Sequence, residues 1–210
     1  MQAPLPDKGD TQQMLARHRN SLMSPESQKN IDTRQLEKIK RTENHVANTQ
    51  QGEKTMEEKP KVGDKAKNFT LPDQNEKEFK LSDFKDKKVL LSFHPLAWTS
   101  VCSQQMKSLE KNKQTFDTLK TTAVGVSIDT VPSKKAWAKS LNIKHTRLLS
   151  DFWPHGKIAE LYGIFRPKDG FSERANIIID ENQKIAFFKI YPLGQLPDIQ
   201  ETNDALRKMH

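Results

Sequence analysis

No phenylalanine, tryptophan or tyrosine precedes Phe69, although the chain carries 10 Phe, 3 Trp and 2 Tyr among its 210 residues. A segment without large apolar groups cannot offset the entropy lost when its backbone is ordered. The sequence therefore predicts a polar, poorly structured N-terminal extension over residues 1–58 and a folded domain over 59–210. Within the extension only Ile31 to Ala47 has helical spacing, with Leu36 and Ile39 three residues apart and Asp32 available as a cap. Such a helix is short and thinly apolar, so it is marginal alone. Met56 opens Met-Glu-Glu-Lys-Pro-Lys-Val-Gly-Asp, a natural start for the domain. The extension reads as a vector-derived leader or an overlong start, with a native regulatory tail as the less favoured option.

The formal net charge of +8 raises the question of an acidic partner. Lysines are nonetheless spread along the chain and mixed with acids, as in Lys85-Asp86-Lys87-Lys88, and no basic block alternates with aromatics. A solvated surface is the better reading, with no nucleic acid implied. No apolar run reaches the roughly 18 residues that a membrane span requires. Met1 to Asp10 lacks the basic start and apolar stretch of a secretory signal, and Asp7, Asp10 and Glu26 argue against a transit peptide despite Arg17 and Arg19. With 1 cysteine there is no internal disulfide framework, and the expected compartment is the cytoplasm.

From Phe69 onward strands and helices alternate. Phe69 to Leu71 and Phe79 to Leu81 read as short strands around a polar turn. Val89 to Phe93 and Ala123 to Ile128 are continuous apolar runs, the pattern of strands buried on both faces. A helix is predicted from about Val101 to Leu119 on the spacing of Met106, Leu109, Phe116 and Leu119. Pro132 and Ser133 open another, through Trp137 to Leu141. Thr146 to Leu149 reads as a strand, and Lys157 to Tyr162 as a short helix closed by Gly163. Ile177 to Asp180 and Ile185 to Ile190 flank Glu181-Asn182-Gln183 as a hairpin, and a final amphipathic helix covers about Asp198 to Met209. The expected class is α/β: a thioredoxin-like fold with a central mixed β-sheet flanked by helices.

Cys102 stands where a buried strand has ended and a helix begins. Unpaired N–H groups and the helix dipole favour an anion there, so a thiolate, the nucleophilic form, is stabilised. Placement alone leaves the other reading open, since a lone free cysteine is commonly an inert buried hydrophobe.

The segment Pro95-Leu96-Ala97-Trp98-Thr99-Ser100-Val101-Cys102 resembles the peroxiredoxin active-site signature. The resemblance continues through Ser150-Asp151-Phe152-Trp153-Pro154-His155-Gly156, then Leu161-Tyr162-Gly163, then Gly170-Phe171-Ser172-Glu173-Arg174-Ala175. It spans most of Lys61 to Tyr191 in the family's order, and is nearest to the alkyl-hydroperoxide-reductase and one-cysteine branches. It implies that Cys102 is the peroxidatic residue, attacking one oxygen of the O–O bond. It implies that Thr99 orients peroxide, that Pro95 shields the sulfur, and that Arg174 supports charge on the departing oxygen. On the residues alone, Thr99 could be a routine cap, Pro95 punctuation, and Arg174 a surface partner of Glu173. Thr99, Cys102 and Arg174 together would bind the substrate, with the Cys102 N–H as a further donor.

Two positions depart from the pattern. Gln105 stands where Glu is common, removing a carboxylate but keeping hydrogen-bonding capacity. His94 stands where Tyr is common and is read as a strand-end packing residue; His155 is assigned a structural role. No resolving cysteine is present, so the resemblance implies an external thiol reductant: a small thiol, or a thioredoxin-like or glutaredoxin-like protein. It also implies a homodimer, to which Phe152, Trp153 and Pro154 could contribute. A dithiol oxidoreductase is excluded because Gln105 fills the second position of Cys-x-x-Cys. One Cys with scattered His residues gives no metal-ligand spacing, and no cofactor is implied. The alternative function is a redox-sensing or chaperone-like protein that uses the same cysteine with little turnover.

Overall fold

The computed structural model describes residues 59–209. The proposed extension and the helix expected at Ile31 to Ala47 lie outside the described residues. The domain is built on a five-stranded sheet in the order β5-β4-β3-β8-β9. Its strands are β3 (Lys88–Phe93), β4 (Thr121–Ser127), β5 (Arg147–Ser150), β8 (Arg174–Ile179) and β9 (Ile185–Tyr191). β3, β4 and β5 pair in parallel, whereas β8 runs antiparallel to both β3 and β9. Two small antiparallel hairpins lie outside it: β1 (Thr70–Pro72) with β2 (Glu78–Lys80), and β6 (Phe165–Arg166) with β7 (Phe171–Ser172).

β3 is buried along its whole length because both faces of the sheet are covered. Val89, Leu91 and Phe93 point to one face, where they meet Phe69, Phe79, Ile158 and Tyr162. Leu90 points to the other, toward Met106, Leu109, Phe116, Trp137 and Leu206 from the helices. This is the physical content of the unbroken apolar run: period-two alternation disappears when neither face meets water.

The helices are α1 (Ser100–Lys111), α2 (Lys113–Thr118), α3 (Val131–Leu141), α4 (Lys157–Leu161) and α5 (Ile199–Arg207). The single helix expected from Val101 to Leu119 is interrupted at Asn112, whose side chain bonds back to the Ser108 carbonyl at 2.9 Å. Local side-chain bonding of this kind competes with the helical ladder, while the apolar period carries through it. α3 starts beside the expected Pro132, at Val131, and Thr130, which the sequence analysis did not single out, caps it by accepting from the Ser133 N–H. Asp198 likewise caps α5, accepting from Gln200 N at 2.9 Å. Gly163 follows α4 at φ +64°, a left-handed conformation that glycine adopts without a Cβ penalty. The β6–β7 hairpin was not anticipated, because two-residue strands leave no periodic signal.

α1 is held against the sheet at its middle and near its end. Midway along it Met106 lies over Gly125 of β4, where a Cβ would fall 2.3 Å from the Met106 sulfur. A side chain at 125 would therefore force the Met106 side chain to move. Near its end Glu110 accepts the Lys144 and Thr146 N–H groups at 2.8 Å and the Thr146 hydroxyl at 2.7 Å. Burial raises that carboxyl, but the hydrogen bonds from Thr146, Lys144 and His145 outweigh it and hold it at about 2. Among the described residues no helix is long and apolar enough to cross a membrane, and no group of three or more His, Cys, Asp or Glu is placed to hold a metal.

Candidate active site

Cys102 is the third residue of α1, directly beyond the end of β3. The first N–H groups of a helix have no intrahelical acceptor, and that of Cys102 is among them. The following N–H, of Ser103, is the first to bond back, to Thr99 O at 2.9 Å. Cys102 is a free cysteine and fully buried.

Arg174 opens β8. The antiparallel register pairs Phe93 with Ala175, so the start of β8 lies beside the end of β3. This brings together residues 72 apart in sequence: Arg174 Nη2 lies 3.4 Å from Cys102 Sγ. Arg174 is only 2% exposed, and the orientation of its guanidinium is fixed by its other hydrogen bonds. Nε and Nη2 both donate to the Leu193 carbonyl, at 3.0 and 2.7 Å, and Nη1 donates to Gln105 Oε1. Glu173, considered as a surface partner for Arg174, instead pairs with Arg166 at 2.9 Å.

Gln105 is more central than the sequence suggested. One turn after Cys102, it accepts from Arg174 and donates to Ser92 Oγ at 2.7 Å and to the Phe93 carbonyl at 3.2 Å. Ser92 donates in turn to Asn176 Oδ1 at 2.8 Å, and Asn176 donates to Thr202 Oγ1 at 3.1 Å. An uncharged amide serves here because it offers an acceptor to the guanidinium and donors to the strand. Ser92 is the one polar residue within Val89 to Phe93, and Asn176 directly precedes Ile177; the sequence analysis gave neither a role.

Thr99 is the N-cap residue of α1, but its side chain makes no capping bond. Its hydroxyl donates to the Leu96 carbonyl at 3.2 Å, which leaves its lone pairs to accept. Pro95 is buried between β3 and this turn. The structure thus brings Cys102 and Gln105 each into contact with Arg174, with Thr99 and Pro95 on the segment leading to the cysteine.

His94 is buried, and neither ring nitrogen meets a hydrogen-bond partner. Its ring lies against Trp137, with centroids 5.3 Å apart. Burial, reinforced by the charge of Lys134, keeps it well below the usual imidazole range and therefore neutral. His155 bonds the Gly170 carbonyl at 2.7 Å. In the same block Asp151 accepts from Ile158 N and Ala159 N, each at 3.0 Å, at the start of α4. Burial raises its carboxyl to about 6 against the pull of those bonds.

Residues 62–188 match the model of the AhpC/TSA family. The chain belongs to that family. It is a peroxiredoxin, a thiol peroxidase of thioredoxin-like α/β fold. It is 34% identical over 146 residues to alkyl hydroperoxide reductase E of Mycobacterium tuberculosis, covering 69% of this chain and 95% of the relative. It is 37% identical over 131 residues to the putative peroxiredoxin bcp of Haemophilus influenzae, covering 59% of this chain and 82% of that relative. Among solved structures it resembles peroxidoxin BcpB from Mycobacterium tuberculosis (TM-score 0.64, 25% identity, 72% of this chain and 99% of that one). It also resembles the reduced 2-Cys peroxiredoxin of Plasmodium vivax (TM-score 0.64, 28% identity, 70% and 80%).

Two elements of this peroxiredoxin's site escaped the sequence reading. Asp129, at the β4–α3 corner, accepts the Ala97 N–H at 2.9 Å. Lys134, fully buried, donates to Ser127 Oγ at 2.6 Å. Lys134 did carry a signal, since it falls on the stripe formed with Trp137, Ala138 and Leu141, where an apolar residue is expected.

Proposed function

We propose that this peroxiredoxin runs a one-cysteine cycle in which Cys102 reduces hydrogen peroxide or an organic hydroperoxide and an external thiol restores it. The observation that carries this reading is the 3.4 Å contact between Arg174 and the sulfur of the chain's 1 cysteine, at a helix N-terminus. The thiolate attacks one peroxide oxygen; the S–O bond forms as the O–O bond breaks. The departing oxide takes a proton and leaves as water or an alcohol, and the sulfur remains as a sulfenic acid. Arg174 and the Cys102 N–H stabilise charge on the oxygens in that transition state, while the Thr99 oxygen orients the peroxide by accepting a hydrogen bond from its O–H and Pro95 excludes water. Burial of the sulfur suits a small, narrow substrate.

Recycling uses two thiols from outside the chain. One displaces hydroxide from the sulfenic acid to form a mixed disulfide, with loss of water; the second releases Cys102 as the thiol. A small thiol or a thioredoxin-like or glutaredoxin-like protein fits that role. The alternative reading, a redox sensor or chaperone-like protein, predicts oxidation without turnover. Steady-state peroxide consumption with added dithiothreitol separates the two: the wild type consumes many equivalents, and Cys102→Ser none above background. Equal rates would remove the enzyme reading.

The exposed Phe152 and Trp153, 47% and 80% accessible, form part of a surface suited to pairing with a second copy. Light scattering of the full chain at micromolar concentration is expected to give twice the 24.2 kDa chain mass. A monomeric mass would sink the dimer.

A further inference from the structure

The segment that presents Cys102 is tied to one corner of the fold, where β4 passes into α3. Asp129 Oδ2 accepts the Ala97 N–H at 2.9 Å. The indole N–H of Trp98 donates to Ser133 Oγ at 3.0 Å, and that of Trp137 to Ser103 Oγ at 3.3 Å. Trp98 sits at φ +68°, a conformation that a bulky side chain adopts only when its surroundings impose it. The turn before the cysteine is therefore held in shape by bonds to this corner.

Beneath the corner lies an ammonium group with no solvent exposure. Lys134 Nζ donates to Ser127 Oγ at 2.6 Å, and Ser127 donates to Asp129 Oδ2 at 2.6 Å. The same carboxylate oxygen holds the Ala97 amide. Taking an ammonium out of water is costly, and this one touches neither the sulfur nor Arg174 through any hydrogen bond.

We propose that Lys134 is a positioning residue for the reaction at Cys102: through the Ser127 hydroxyl and the Asp129 carboxylate its charge fixes the Ala97 amide, and with it the turn carrying Thr99. The proposal rests on the assignment of Cys102 as the reacting residue. The ammonium places a positive charge behind the Asp129 carboxylate, whose Oδ2 accepts from both Ser127 and Ala97.

The charged and titratable groups facing Lys134 are Asp129 at the corner, Asp151 after β5, Cys102 on α1 and His94 at the end of β3. Arg174, on β8, faces Cys102 and His94 from the opposite side. Burial lowers the ammonium to about 8 against the pull of Asp129, Asp151 and Cys102. The relay is thus charged at neutral pH and is lost as pH rises through that value.

The test is the second-order rate of hydrogen peroxide reacting with the reduced full chain from pH 6 to 9.5, with the fold checked by circular dichroism. The wild-type rate is expected to decline above pH 8. Lys134→Met is expected to react about tenfold more slowly at pH 7, a modest misplacement effect, and to lose the decline. A folded Lys134→Met that matches the wild type, or that is slower but keeps the decline, overturns the proposal; so does a wild-type profile without one. If Lys134→Met does not fold, Ser127→Ala decides, because it cuts the relay and keeps both charges. It should be several-fold slower, and a wild-type rate overturns the proposal. Cys102→Ser run in parallel separates the two readings: reaction at the wild-type rate there would fault the assignment of Cys102, not the role of Lys134.

Discussion

Arg174→Ala is expected to slow oxidation of Cys102 by hydrogen peroxide on the order of 10²- to 10³-fold, the usual loss when one preorganised donor to a developing charge is removed. The guanidinium is held by the Leu193 carbonyl and by Gln105, so it needs no reorganisation to meet the departing oxygen. Its removal takes away the positive charge 3.4 Å from the sulfur and leaves Gln105 Oε1 and the Leu193 carbonyl, in the turn after β9, without that donor. Arg174→Lys keeps a charge but loses the planar fork, so it cannot bind the sulfur side, Gln105 and Leu193 at once; an intermediate rate is expected. Stopped-flow oxidation of both variants, with the folded state verified, measures this. An alanine variant within threefold of the wild type would show that Arg174 does not serve the reaction.

The largest expected loss of stability follows Trp137→Ala, at about 3–5 kcal/mol for an aromatic truncated in a packed core. Trp137 is fully buried among Leu90, Met106, Leu148 and Ile178, where helices meet one face of the sheet. Its loss opens a cavity beside the His94 ring and removes the donor to Ser103 Oγ. For a chain of this size the midpoint of thermal unfolding should fall by roughly 10 °C. Trp137→Phe retains much of the volume but gives up the N–H and part of the bicyclic ring, so it should lose about 1–3 kcal/mol, less than the alanine variant. A denaturant midpoint for Trp137→Ala indistinguishable from the wild type would contradict the packing described.

The two variants probe parts of the molecule that were unequally visible in the sequence. The sequence places Trp137 on a helix opened by Pro132 and Ser133, and the packing adds that it lies in the core. The contact between Arg174 and Cys102 could be anticipated only through the family resemblance, because nothing local relates residues 72 apart. Gln105 was read as a departure from the pattern, and in the structure it joins the arginine to the end of β3. Asn112 bonding back to Ser108, which accompanies the division between α1 and α2, left no trace in the apolar period.

By itself the sequence determined that this is an alternating α/β domain whose central strands are buried on both faces, because that burial erases period-two alternation. It also placed the 1 cysteine between a buried strand and a helix start, where a helix favours negative charge. Only the tertiary structure decided what surrounds that cysteine. Antiparallel pairing of β3 with β8 sets which residues meet at the end of the sheet, and register is a long-range property. The buried polar chain from Lys134 through Ser127 and Asp129 to Ala97 belongs to the same category: a lysine on an apolar stripe says nothing of its partners, and the four residues become one connected unit once the β4–α3 corner packs against the turn before α1.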